Sequence, residues 1–312
     1  MNTTARLALF GGTLALLAAG GFAVGNVAGP ISTASSENAA HGDTGAEHAG
    51  MTAAPASGEL PGGLASSKDG YTFTPAGTTP EPGRFSFTIT GPDGKPVTGF
   101  DVEHEKKLHL IVVRRDTSGF QHVHPEMAPD GTWSVPLTLP AAGSYRAFAD
   151  FTPTGGKGMT LGADLSVAGD YQPATFAPSR TAQVDGYTVQ LAGDLTAGKT
   201  SPLTLTVSRA GAPVTDLQPY LGAYGHLVAL REGDLAYLHV HPDGEPGDGK
   251  TAPGPQVKFA AEVPSAGAYR LFLDFKHGDV VRTAEFTLTT AGTPAPAPAP
   301  AQAPEPADGH GH

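Results

Sequence analysis

The sequence predicts an all-β protein whose folded part is a pair of tandem sandwiches, and three observations carry that expectation. With 42 Gly and 29 Pro, these two residues make up about 23% of the 312 residues, against roughly 12% in average chains. A load this high breaks long helices. After residue 30 the apolar residues come in short β-branched or alternating runs between turn residues, and no stretch keeps a 3.6-residue apolar period. The runs also recur. Each of two segments of about 100 residues holds about seven of them, the strand count and size of an immunoglobulin-like sandwich.

The chain opens with Leu7–Gly29, 23 residues without a charge behind Arg6. A membrane-spanning helix needs about 20 apolar residues, and a secretory signal is the other reading of such a run. Residues 1–30 are therefore expected to be a signal anchor or a signal peptide. Arg6 keeps the N-terminus inside in either case, which leaves the rest outside the cytoplasm. Residues 31–66, rich in Ala, Gly and Ser, lack the apolar content to build a core and read as a flexible linker. Sandwich one is expected over 67–170, with strands at Tyr71–Thr74, Arg84–Thr90, Lys107–Arg114, Phe120–His124, Thr132–Leu139, Ser144–Phe151 and Met159–Val167. A linker over 171–182 follows. Sandwich two is expected over 183–290, with strands at Val184–Leu191, Leu203–Ser208, Gly225–Leu230, Ala236–Val240, Val257–Val263, Ala268–Phe275 and Val280–Thr289. Residues 291–312 form a Pro/Ala-rich tail ending in HGH, expected to be an extended, solvated spacer.

The two sandwiches are copies. His109, His122 and His124 recur as His226, His239 and His241 at a constant offset of 117, and AGSYRAFADF (142–151) recurs as AGAYRLFLDF (266–275). Between 108–125 and 225–242 only seven of 18 positions match, and three of those seven are histidines. The alternation of each hairpin puts the three histidines of a copy on one face. A register pairing Ile111 with His122 and His109 with His124, and equivalently Val228 with His239 and His226 with His241, brings them to the open end of that hairpin. Three imidazoles at such spacings reach one Zn or Cu ion at about 2.0 Å. The bland reading is that they are half-buried histidines bonded to backbone. Asp150 and Asp274 lie on the same face of the YR-x-F-x-D strand as the arginine, where they either orient a ligating imidazole or pair with that arginine. His104 and His277 have no repeated partner and fall outside the set.

Composition limits the alternatives. A formal net charge of −11 opposes a nucleic-acid surface, and the absence of cysteine removes disulfides and thiolate metal sites. No nucleophile elbow, phosphate loop or paired catalytic carboxylates appear, so a binding protein rather than an enzyme is expected. Gly233, His239, His241 and Glu245 fit the first cupin pattern, but copy one breaks it and the second cupin pattern is missing.

The blocks HLIVVRRDTSGFQHVHP and GHLVALREGDLAYLHVHP, each followed by AG-x-YR-x-F-x-DF, resemble actinobacterial membrane-anchored or secreted heavy-metal-binding proteins. They are also similar to the copper-resistance sandwiches of CopC and YtkA type. The resemblance covers residues 69–290 and implies an extracytoplasmic divalent-metal protein with a three-His site in each copy. Cu(II) is the first expectation and Zn(II) the second, since the ligands are imidazoles without thiolate or thioether. The implied partners are the metal ion, the membrane through the N-terminal segment and an integral-membrane metal transporter. The competing expectation is a structural or adhesive cell-surface module whose histidines only hold the fold.

Overall fold

The computed structural model describes residues 60–80, 83–238 and 240–291. The expected anchor over 1–30, the linker as far as residue 59, the tail from residue 292 and His239 lie outside the described residues. Among the described residues no helix is long and apolar enough to cross a membrane.

The first copy runs β1 (Ser67–Lys68), β2 (Tyr71–Pro75), β3 (Phe85–Thr90), β4 (Leu108–Arg114), β5 (Gln121–Val123), β6 (Glu126–Met127), β7 (Thr132–Val135), β8 (Gly143–Phe151) and β9 (Met159–Val167). These make two antiparallel sheets, ordered β1-β2-β3-β7-β6 and β5-β4-β8-β9. The second copy runs β10 (Thr181–Val184), β11 (Tyr187–Ala192), β12 (Lys199–Arg209), β13 (Ala212–Pro213), β14 (His226–Arg231), β15 (Tyr237–Leu238), β16 (Val240–Pro242), β17 (Gln256–Val263), β18 (Ala268–His277) and β19 (Val280–Thr289). Its sheets are β10-β11-β12-β17-β16, with β13 on β12, and β15-β14-β18-β19. The fold is all-β, two sandwiches of immunoglobulin-like build. Tyr145 and Tyr269 each donate their hydroxyl to a carbonyl four residues upstream, Ala141 at 2.8 Å and Ser265 at 2.7 Å, the tyrosine corner of such domains.

Burial explains why some runs alternate and others do not. In β3 Phe85, Phe87 and Ile89 are buried while the serine and threonines between them are half-buried, the pattern of a sheet with one wet face. In β4 both faces are covered. Leu108, Leu110 and Val112 join Tyr145, Ala147, Ala149 and Phe151 inside the first sandwich. Ile111, Val113 and Phe148 pack instead against Val228, Leu230, Leu235 and Phe272 of the second. The β5-β4-β8-β9 and β15-β14-β18-β19 sheets thus meet face to face, and the histidine-bearing face of the hairpin lies in this seam.

The seam is quasi-symmetric. Phe120 stacks on Phe272 with ring centroids 4.0 Å apart, and their counterparts Tyr237 and Phe148 meet at 5.8 Å. The same patch is used on both copies, an isologous contact within one chain. The chain entering the first sandwich fastens it: Tyr237 donates to the Gly62 carbonyl at 3.0 Å and Gly63 to Thr160 at 2.8 Å. Arg146 donates to the carbonyls of Gly63 and Leu64, both at 2.8 Å. The stretch expected as linker over 31–66 is therefore docked from Gly62 onward.

The expected hairpin registers hold in part. Ile111 faces His122 and Leu230 faces Tyr237. His226 does not face His241: β16 has left for the other sheet, where His241 pairs with Ala260. In the first copy the same change of sheet comes later, after Val123, and Glu126 is the first residue paired with β7. A strand at a sandwich corner belongs to whichever sheet offers its backbone a ladder. Here the two copies divide the strand differently.

Candidate metal centre

Three imidazoles converge at the open end of the β4–β5 hairpin. His109 lies on β4, His122 on β5, and His124 just past the end of β5, beyond the reach of the ladder. His109 Nδ1 lies 3.1 Å from His122 Nε2 and 3.2 Å from His124 Nε2. All three nitrogens fall within 4.8 Å of one another. A tetrahedral ion at 2.0–2.1 Å from each nitrogen requires nitrogens about 3.3 Å apart, so the spacing found is close to a ligand set.

The outer nitrogens decide which atoms carry protons. His109 Nε2 sits 3.1 Å from the Glu103 carbonyl oxygen, an acceptor only, so Nε2 is the donor and Nδ1 bears the lone pair. His122 Nδ1 sits 2.8 Å from Asp274 Oδ2, so it donates there and Nε2 is the nitrogen turned toward His109. His122 Nε2 then faces the His109 lone pair at 3.1 Å. A cation in that gap, a proton on His122 Nε2 or a metal ion, satisfies both nitrogens. Asp274 belongs to the second copy, is 3% exposed, and takes a further bond from Thr283 at 2.6 Å. The carboxylate–imidazole pair that tunes metal-bound histidines is thus supplied across the seam.

Two of the three rings are held neutral by their surroundings. Burial, and then the neighbouring His122 ring, push the His109 imidazole down from 6.5 to about 3. Burial, then His122 and His109, lower His124 to about 3 as well. Neutral imidazoles whose lone pairs converge are what a divalent ion binds.

The remaining candidates surround the same space. A cavity of about 190 Å³ is lined by His109 and His122 and, from the second copy, by His226 and His241. His226 repeats the His109 design, with Nε2 held 2.8 Å from the Tyr220 carbonyl, the position matching Glu103. Its pKa is lowered to about 4 by burial, against the Tyr220 bond, with His122 and His104 adding to the fall. His239 is outside the described residues. Of the second set, His226 and His241 are described, and both line the cavity.

Asp150 accepts from Thr160 at 2.8 Å, as Asp274 does from Thr283, and lines the cavity. The strands' arginines pair with other carboxylates, Arg146 with Asp164 at 2.8 Å and Arg270 with Glu285. His104, outside the repeated set, also lines the cavity, its ring 5.2 Å from His226. Its signal was an imidazole where the other copy carries Leu221. His277 is used elsewhere, between the Tyr187 hydroxyl at 2.6 Å and Asp216 at 3.1 Å.

A family model described as "Domain of unknown function (DUF8832)" matches the chain twice, over residues 66–169 and 182–292. No curated protein matches it. Among solved structures, Salmonella alpha-2-macroglobulin reacted with methylamine is 17% identical, with 74% of this chain and 16% of that one covered and a TM-score of 0.23. A putative membrane anchored protein from Corynebacterium diphtheriae is 11% identical, over 74% of this chain and 60% of that one, with a TM-score of 0.21. Invasin, a bacterial integrin-binding protein, is 14% identical, over 70% and 39%, with a TM-score of 0.20. This chain spans less than two thirds of each of the three, and the fold assignment rests on its own strand order and register.

Proposed function

The chain belongs to the DUF8832 family, whose domain it carries twice, and we propose that the paired copies form a divalent-metal-binding unit with its primary centre at His109, His122 and His124. The observation that carries this reading is the convergence of three ring nitrogens, His122 Nε2 at 3.1 Å and His124 Nε2 at 3.2 Å from His109 Nδ1, with the far nitrogens of His109 and His122 each held by an acceptor. Imidazole-only ligation favours Cu(II), then Zn(II). His226, His239 and His241 are the candidate ligands from the other copy, and of these His226 and His241 line the same cavity. The protein binds and hands on its ion without catalysing a reaction. Residues 1–30 hold it at the outer membrane face or direct its secretion, and an integral-membrane transporter is the natural donor or acceptor.

Metal content of the full chain, purified and dialysed against Cu(II) or Zn(II), tests this beside His124→Ala and His122→Ala. One equivalent is expected to disappear in each variant, and the thermal midpoint of the wild type rises with added metal, by about 2.7 kcal/mol in stability at a hundredfold excess over Kd. If content and midpoint are the same in all three proteins, the histidines are structural and the sandwiches are a surface-display module. Mass spectrometry of the mature N-terminus separates an anchored from a secreted form.

A further inference from the structure

We propose that the cavity holds a second divalent-metal position between His104 and His226, one imidazole from each copy, at the mouth leading to the His109–His122–His124 centre. The inference deepens the metal reading and shares with it the class of ion, but its ligands are separate.

Three observations carry it. First, the His104 and His226 ring centroids are 5.2 Å apart, within the range of 4.9, 5.0 and 5.3 Å found among the rings of the triad. Second, His226 Nε2 is committed to the Tyr220 carbonyl at 2.8 Å, which leaves the lone pair on Nδ1, as the Glu103 carbonyl does for His109. A ring set up as an acceptor toward the cavity is prepared for a cation. Third, His104 replaces a packing residue. It lies in a two-residue turn closed by Glu103 and Lys106, with φ of +47° at His104 and +65° at Glu105. The second copy has the same turn, closed by Tyr220 and Ala223, with Leu221 at +52°. Leu221 is 3% exposed, whereas His104 is exposed at the cavity rim. A side chain that serves as core in one copy is in the other an imidazole whose ring centroid lies 5.2 Å from that of the other copy's His226.

The two positions are neighbours: His104 lies 6.1 Å from His109 and His226 lies 6.4 Å from His122, centroid to centroid. An ion held by two imidazoles and water at the rim exchanges faster than one held by three imidazoles inside. The rim position is thus the weaker, second-filled one and the place where an ion enters or leaves.

Cu(II) added to the full chain and followed by electron paramagnetic resonance tests this. The first equivalent is expected to give an isolated multi-nitrogen signal that His124→Ala abolishes. The second equivalent is expected to give a dipolar-broadened pair signal. His104→Asn, which tolerates the left-handed turn, should lose the pair signal and leave the first spectrum unchanged, and His226→Gln, which retains a donor for the Tyr220 carbonyl, should lose the pair signal as well. A second equivalent that adds only isolated signals, identical in wild type and His104→Asn, overturns the rim position and leaves the triad standing. A first equivalent unaffected by His124→Ala but lost in His104→Asn overturns the triad as primary centre and supports the rim position.

Discussion

His122 of the first sandwich donates its Nδ1 proton to Asp274 of the second across 2.8 Å, with both side chains almost sealed from water. The proposed metal centre is thereby tied to the docking of the two copies, because the carboxylate that fixes the ring of one sits on the sheet of the other. Asp274→Asn keeps an acceptor for His122 but removes the charge, and Asp274→Ala removes both. Outer partners of this kind affect metal affinity by about 10–100-fold. Affinity for Cu(II) or Zn(II) is expected to fall by about tenfold in the first variant and by about a hundredfold in the second. Equal affinities in wild type and both variants, by calorimetric titration, would show that the pair is structural only.

Acid sensitivity follows from the three lowered histidines. From the ordinary value of 6.5, neutral-imidazole ligands predict that binding weakens below about pH 6.5. The structure moves that point down, since His109 and His124 titrate near 3 in the apo protein. Proton competition at these two ligands is expected to be small between pH 7.5 and 5.5. The cost appears in stability instead. Once unfolded, the same imidazoles bind protons from about pH 6.5 downward, so between there and about 3 to 4 the unfolded state holds more protons and stability falls with pH. The apo thermal midpoint should decline across that window, and less steeply in His109→Ala. A midpoint unchanged from pH 6.5 to 4 would contradict the lowered values.

Much of this was legible in the sequence, and the rest was lost for identifiable reasons. Alternation along β4, β5 and β8 placed His109, His122, Phe148 and Asp150 on one face, and the observed register agrees. Alternation says nothing of what covers a face. That Asp274 would reach the histidine of the other copy, rather than its own, depended on a seam formed by Ile111, Val113, Phe148, Val228 and Phe272, residues that read equally well as core or surface. His241 was misplaced because two sheets compete for Val240–Pro242, and the outcome lies in the β17 ladder. His104 was set aside for lack of a repeat, although the departure from Leu221 was itself the signal.

The seam should respond unequally to its aromatic residues. Phe272 is fully buried and stacks on the half-buried Phe120. Phe272→Ala is expected to cost about 3–5 kcal/mol and Phe120→Ala less, since part of that ring already meets water. Because docking supplies Asp274, metal affinity should fall in both variants although neither residue touches the centre. Chemical denaturation with and without metal reads both effects. An unchanged affinity in Phe120→Ala would uncouple docking from binding.

The strap over the seam gives the last prediction, and glycine makes it testable. Gly63 has a φ of +74°, and a Cβ there would lie 2.4 Å from Phe148 Cδ1. A Cβ on Gly162 would lie 2.0 Å from the Gly63 carbonyl oxygen and 2.7 Å from Arg146 Nε. Each approach is far inside van der Waals contact, so Gly63→Ala and Gly162→Ala must both lift the strap, from opposite sides. Overpacking of this kind costs about 1–3 kcal/mol. The matched control is Gly77→Ala, whose nearest neighbour would be 3.6 Å away. Hydrogen exchange localises the change. The Tyr237 amide, bonded to the Gly62 carbonyl, and the Gly63 amide, bonded to Thr160, should lose protection in both strap variants and retain it in the control. If the Tyr237 amide stays protected in Gly162→Ala, the strap does not clamp the two copies and the seam must hold through its aromatic contacts alone.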